Sequence, residues 1–195
     1  MAISYPLSTP TSIGIAQIEL SAKNAVAISQ SPFTYKTQVH AYSGQQWMAS
    51  ISIPPVHRDL AEPWVAFLLA LRGPYGTFLL GDPNATSPQG TATSATVTGA
   101  SGASSVSVTM TGTLKAGDYI QIGSGSDATL HKVLLDKTGS GTLEIWPALR
   151  KARTSATVTL SSPKGLFRLI PSDTNWSINE ASVYGISFQA MEAIV

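Results

Sequence analysis

The sequence predicts a mainly β protein: a β-sandwich or barrel with one flanking α-helix, plus an inserted small β-module. Three observations carry this. Trp47, Ala49, Ile51 and Ile53 alternate with Met48, Ser50 and Ser52, the period of a strand with one buried face. Leu60, Trp64, Phe67, Leu68 and Leu71 fall at i, i+4, i+7, i+8 and i+11, which makes one apolar stripe on a helix. After Pro83 the composition shifts to Ala, Ser, Thr, Gly and Val, with short alternating runs between Gly, Asp and Ser clusters. That is the pattern of a small sheet or barrel.

Taken in order, residues 1–12 are turn-rich, with Pro6 and Pro10. Ile13, Ile15, Ile18 and Leu20 begin the first strand, which Asn24 to Ser29 continue. Gln30-Ser31-Pro32 is a turn. Phe33, Tyr35, Thr37, Val39 and Ala41 alternate with polar neighbours as a second strand. Tyr42-Ser43-Gly44-Gln45 reads as another turn, so strands around 33–42 and 46–53 are expected to form a hairpin. Pro54-Pro55 is expected to stop the ladder, because neither residue can donate a backbone hydrogen bond.

The helix is expected over about 60–72, starting near Asp59 or Leu60. Asp59 and Glu62 bring negative charge to its first turn, and Pro63 is tolerated only there. Arg72 closes the last turn, Gly73 suits the left-handed position after it, and Pro74 forbids continuation. Gly73-Pro74-Tyr75-Gly76 then turns into a strand at Thr77-Phe78-Leu79-Leu80, ended by Gly81-Asp82-Pro83. That strand is apolar on both sides, which predicts the helix over one face and a second sheet over the other.

Residues 84–163 read as the insert. The segment TATSATVTGASGASSVSVTMTG has a low-complexity composition that would suit a linker. Its alternation at Ala95 and Val97, and at Val106, Val108 and Met110, favours strands. Further strands are expected at Tyr119–Ile122, His131–Leu135, Leu143–Trp146 and Val158–Leu160. Beyond it, Gly165–Leu169, Trp176–Ile178 and Tyr184–Ala190 return to the earlier style. The parent domain is therefore 1–83 plus 164–195, with six to eight strands and one helix.

The bulk numbers exclude several functions. Charged residues make up 12% of 195, and the net charge is +1, which lacks the basic face of a nucleic-acid binder. A surface of Ser, Thr, Gly, Gln and Asn is poorly protected against association and suits an assembly subunit. With no cysteine, disulfides, thiolate catalysis and Cys-type zinc sites are absent. MAISYPLSTP lacks the pattern of a secretory signal, and no apolar run approaches the ~20 residues of a membrane span. The chain is expected to be made soluble in a cytoplasm.

No catalytic, cofactor-binding or metal-binding residues are expected. His40, His57 and His131 show neither HxH nor HExxH spacing and are read as surface or interface histidines. Gly99–Gly102 and Gly123–Asp127 lack the Lys-Ser/Thr and helix of a phosphate loop. With Asp127 as its one carboxylate, the second is a poor calcium loop, so both are read as hairpin turns. No GxSxG element exists. Asp59 and Glu62 are the nearest carboxylate pair at helical spacing and are read as helix capping. Of the four tryptophans that could line a sugar site, Trp47 and Trp64 are read as core. Trp146 is the candidate for surface recognition, beside Arg150, Lys151 and Arg153, which are read as a solvated turn or a subunit contact.

Over IPPVHRDLAEPWVAFLLALRGPYGTFLLGDP the sequence resembles the distal tail proteins, or minor tail proteins, of long-tailed (siphovirus-type) phages and prophages. The matching pattern is a Trp-bearing strand ending in Pro-Pro, a helix of the form W-x-x-F-L-L-x-L-R-G, and G-T-F-L-L-G-D-P. Further matches are LKAGDYIQIG at 114–123, IWPALR at 145–150, GLFRL at 165–169, WSI at 176–178 and YGISF at 184–188. The resemblance implies a tail-tube-like β domain and a structural role with no catalytic residues. It implies a ring, typically a homohexamer, at the tail tip of the virion, joining the tail tube protein to hub and fibre proteins. The tape measure protein is a possible further partner, and DNA would pass through the channel without specific binding. A different class of function is a carbohydrate-binding module of the host-recognition apparatus, carried by the insert. A cell-wall hydrolase would need an acid/base pair that the chain does not offer.

Overall fold

The computed structural model describes residues 3–171, 173–179 and 183–194. Its first part runs β1 (Leu7–Ser8), β2 (Gln17–Gln30), β3 (Thr37–His57), α1 (Arg58–Leu71) and β4 (Phe78–Leu80). Eight short strands follow: β5 (Ala95–Gly99), β6 (Ser105–Met110), β7 (Thr113–Leu114), β8 (Tyr119–Ile122), β9 (Thr129–Val133), β10 (Lys137–Thr138), β11 (Gly141–Trp146) and β12 (Arg153–Thr159). The chain ends with β13 (Gly165–Ile170), β14 (Trp176–Ile178) and β15 (Val183–Glu192). The protein is mainly β with one α-helix, as its patterning predicts.

Strands from both ends of the chain form one seven-stranded sheet in the order β1-β4-β13-β15-β3-β2, with β14 on β15. Residues between them form a closed barrel, β11-β6-β5-β12-β8-β9, flanked by the β7–β10 ribbon. The segment resembling a linker is therefore strand, and its alternation sets the burial. Val97, Val106, Val108, Ile120, Ile122, Leu143 and Ile145 fill the barrel, while the intervening Ser and Thr face out. Six strands closed in this way leave no free edge, which is how such a polar sequence avoids self-pairing.

Helix α1 lies across one face of the sheet. Its buried side is Ala61, Trp64, Val65, Phe67, Leu68 and Leu71. Leu60, expected in the stripe, falls at its margin and is exposed. Phe67 and Trp64 pack edge-on against each other, and Phe78 links Phe67, Phe167 and Phe188. The helix begins at Arg58, one residue before the expected start, and Pro63 is accommodated within it. Arg72, expected in the last turn, instead takes the left-handed capping position (φ 52°) ahead of Gly73 (φ 64°). Its N–H returns to the Leu69 carbonyl, which satisfies one of the orphan acceptors at the helix end.

Three sequence expectations need correction. No second sheet covers the opposite face among the described residues. There the rows Glu19-Ser50-Gln189 and Gln17-Ser52-Ser187 line up across β2, β3 and β15, so the face is polar and mostly exposed. Pro54-Pro55 does not end a strand. β3 continues to His57, and its register to β15 shifts between Ile53–Ile186 and Val56–Tyr184. The two prolines thus oppose Gly185 in a bulge, where a missing N–H costs no ladder bond. The hairpin expected between 33–42 and 46–53 does not form. Those residues belong to one strand, 21 residues long, that pairs with β2 from Thr37–Gln30 through to Ser52–Gln17.

Candidate functional site

The turn of the β2–β3 hairpin lies at Ser31–Lys36. The Ser31 N–H donates to the Lys36 carbonyl (3.0 Å), the Tyr35 N–H returns to the Ser31 carbonyl (2.9 Å), and Tyr35 is left-handed (φ 55°). From that turn back to the Asn24–Gln45 rung, β2 and β3 pair only with each other, because β15 reaches along β3 no further than Met48. At ~3.4 Å per residue this is an arm of roughly 20–25 Å. Its register shifts between Asn24 and Val26. There the Ala25 methyl lies 3.0 Å from where a Gly44 side chain would begin, so Gly44 serves a close strand approach rather than a turn.

Pairing places Val26, Ile28, Val39 and Ala41 on one face of the arm and Ala27, Ser29, Gln38 and His40 on the other. The His40 and Tyr42 rings meet edge-on, 4.6 Å apart. Among the described residues nothing covers either face. Ile28 is 69% exposed, Val39 59%, and Phe33 at the tip 92%. Lys36 is the one charged residue between Asn24 and Gln46. A two-stranded ribbon is marginal alone in water, and a contiguous exposed apolar face is one of the general signs by which interaction sites are sought. Phe33 and Tyr35, expected in the strand, belong to this turn; the alternation holds from Thr37 to Ala41, but alternation reports two faces and not what covers them.

At its root the arm meets the barrel. The Trp146 indole N–H donates to Asn24 Oδ1 (2.8 Å), and the Ala148 N–H donates to Gln45 Oε1 (2.7 Å). Arg150 donates to the Gln45 carbonyl (2.7 Å) and to both Glu192 carboxylate oxygens (3.1 and 2.6 Å). Glu192 is buried and also accepts the Trp47 N–H (3.1 Å). The Trp47 indole N–H donates to the Leu130 carbonyl of β9 (2.9 Å), and Trp146 packs edge-on against it at 4.5 Å. Trp47 and Trp64 are core, as expected. Trp146 is no surface recognition residue, because its ring is used inside this junction. Arg150 and Arg153 likewise form no solvated turn. Arg153 pairs with Asp127, as does Lys151 at 3.1 Å.

The histidines do not converge, and no group of His, Cys, Asp and Glu could hold a metal among the described residues. His40 is on the arm and exposed His57 precedes α1. His131 is not a surface residue. It is fully buried in β9, its ring bonded to the Pro147 carbonyl (2.7 Å) and Thr129 Oγ1 (2.9 Å). Burial pushes its pKa down to about 4, outweighing the bond to Pro147, with Arg150 and Arg153 acting in the same direction as burial. Asp59 sits in the first turn of α1, while Glu62 pairs with Arg58 (3.2 Å) and accepts from the Tyr184 hydroxyl (3.4 Å).

Gly99–Gly102 and Gly123–Asp127 are the β5–β6 and β8–β9 turns. The hydrogen bond from Arg153 holds the Asp127 carboxyl below its usual range, so that carboxylate is already committed to a cation. The surface clefts are open and polar. One of about 270 Å³ runs past Asp82, Asn84, Gln89 and Asp118, but Asp118 already accepts the Gln89 and Lys115 N–H groups (2.7 and 2.8 Å). The insert's two aromatic rings other than histidine are Tyr119 and Trp146. Tyr119 lies under the Lys132 ammonium, 4.2 Å from its ring centre, and the Trp146 ring packs against Trp47. No helix among the described residues is long and apolar enough to cross a membrane. No protein-family model matches the chain, and no curated protein sequence matches it.

Proposed function

We propose that this chain is a structural subunit of a phage tail tip: a ring-forming distal tail protein that joins the tail tube to the hub and fibre proteins around the DNA channel. The observation that carries the proposal is the bare arm. It projects an aliphatic face and an aromatic tip with no cover from its own chain, and a neighbouring copy or a tube subunit would supply that cover. The outer edge of β2 adds a second contact, since it is unpaired over 14 residues. Head-to-tail use of one edge by the next subunit closes into a ring when the rotation closes. The resemblance makes that ring a hexamer located in the virion, with the tape measure protein as a further neighbour. A chain of net charge +1 suits a wall along which DNA slides without being held.

Light scattering coupled to size exclusion tests this on the full chain, alone and mixed with its tube protein. A closed oligomer, or a complex with the tube protein, is the expected result. Val39→Asp places a charge on the aliphatic face and is expected to abolish association while leaving the monomer folded. A chain that stays monomeric and inert to the tube protein overturns the proposal.

A further inference from the structure

We infer that the inserted barrel is a clamp on the root of the arm: Trp146, Ala148 and Arg150 grip the Asn24–Gln45 rung and set the direction in which the arm leaves the sheet. Asn24 and Gln45 are register partners, one from each strand. They form the last rung before the register shift, and beyond them neither strand has another neighbour. The barrel reaches both. Trp146, the last residue of β11, and Ala148, two residues on, bond Asn24 Oδ1 and Gln45 Oε1. Arg150 then ties the Gln45 carbonyl to Glu192 on β15, and the Gln46 side chain donates to the Glu192 carbonyl (3.1 Å). The grip therefore spans both strands of the arm, the barrel and an inner strand of the sheet.

A barrel that merely decorated the domain would need apolar packing against the sheet and nothing at this rung. Here the polar contacts gather where the hairpin loses support on both strands. Each side-chain bond fixes an angle, and the Arg150–Glu192 pair, with two parallel bonds, fixes a plane. Two strands held at one rung cannot pivot about it, so the two-stranded ribbon beyond leaves in a single direction. That direction matters because the arm is read above as the subunit contact, and the inference rests on that reading for its biological use, though not for its geometry.

The test is amide hydrogen exchange on the full-length protein and on Asn24→Ala/Gln45→Ala, which removes both side-chain acceptors at positions outside either core. Exchange at Val26–Ile28 and Val39–Ala41 is expected to accelerate roughly tenfold or more, while β5–β12 and α1 stay unchanged. Trp146→Phe keeps an aromatic ring but loses the indole N–H with the pyrrole half of the ring, so it should show a smaller change of the same sign if the double variant fails to fold. Because the chain has no cysteine, Phe33→Cys with Thr109→Cys takes one spin label on the arm and one on the barrel. Diluted into unlabelled protein, the native pair should give a narrow distance distribution that broadens in the double variant. A broad native distribution, or arm exchange unchanged by both variants, overturns the clamp. Oligomeric state measured on the same samples separates the two proposals: a clamped arm on a permanent monomer supports the clamp and sinks the ring.

Discussion

Strand β3 passes through two environments with one sequence pattern. Over residues 47–53 its alternate side chains, Trp47, Ala49, Ile51 and Ile53, are buried in the core that the sheet shares with α1, Trp47 at the end where the barrel packs. Over residues 37–41 the alternation is as regular, yet Val39 and Ala41 stand in solvent. The inner half is held by three layers of contact, namely β2, β15 and the helix. The outer half has β2 alone. The difference lies outside the strand, in whether another element arrives to cover it. The outer half is thus a strand whose apolar face its own fold, among the described residues, leaves open.

The comparison is broken most sharply by paired truncations. Trp64→Ala removes the largest fully buried side chain and is expected to cost roughly 3–5 kcal/mol in urea unfolding of the full chain. Phe33→Ala at the arm tip should stay within about 0.5 kcal/mol. Equal losses would mean that the arm packs on its own chain.

A second prediction sharpens the contrast through pH. His131 has a folded pKa of about 4, below its unfolded value, so between the two the unfolded chain binds the extra proton. The stabilisation is full above the unfolded value and is lost as pH falls toward the folded one. Between pH 7 and pH 4 this amounts to roughly 3 kcal/mol. Urea midpoints followed across that range should fall in the native chain and show a flatter slope in His131→Gln. A small effect belongs to the first turn of α1, where Asp59 lies near the positive end of the helix. Asp59→Asn should cost about 0.3–1 kcal/mol, less at high salt, read from thermal unfolding at two ionic strengths.

Much of this architecture was legible in the residues. β5, β6, β8 and β11 follow the alternation at 95–110, 119–122 and 143–146 closely, because their side chains alternate between the barrel interior and its outside, whereas β9 and β12 start earlier than expected and depart from strict period two. The helix was legible from its stripe, and its last turn from Arg72-Gly73-Pro74. What misled was local chemistry with two uses. Ser43-Gly44 has turn composition, but Gly44 is there to admit the Ala25 methyl. Pro54-Pro55 has breaker composition, but a bulge with one partner strand accepts it. The barrel–sheet junction had no sequence signal. Arg150 and Glu192 lie 42 residues apart, and nothing in either neighbourhood announces a buried pair. Trp146 reads as a surface residue because its company is cationic, and all three of those cations are held by Asp127 and Glu192.

Spatial order in the sheet is not chain order. β15, the last strand along the sequence, sits between β13 and β3, whereas the barrel closes with residues 95–159 alone. On a ribosome the barrel can finish first, while β3 and β13 wait for their common neighbour to emerge. Glu192 arrives with that neighbour, so the sheet closes and the Arg150 bridge is made in one late step. A nascent chain stalled or cut before residue 183 would carry a finished barrel and an unsealed sheet, and would be open to proteolysis at β3 and β13.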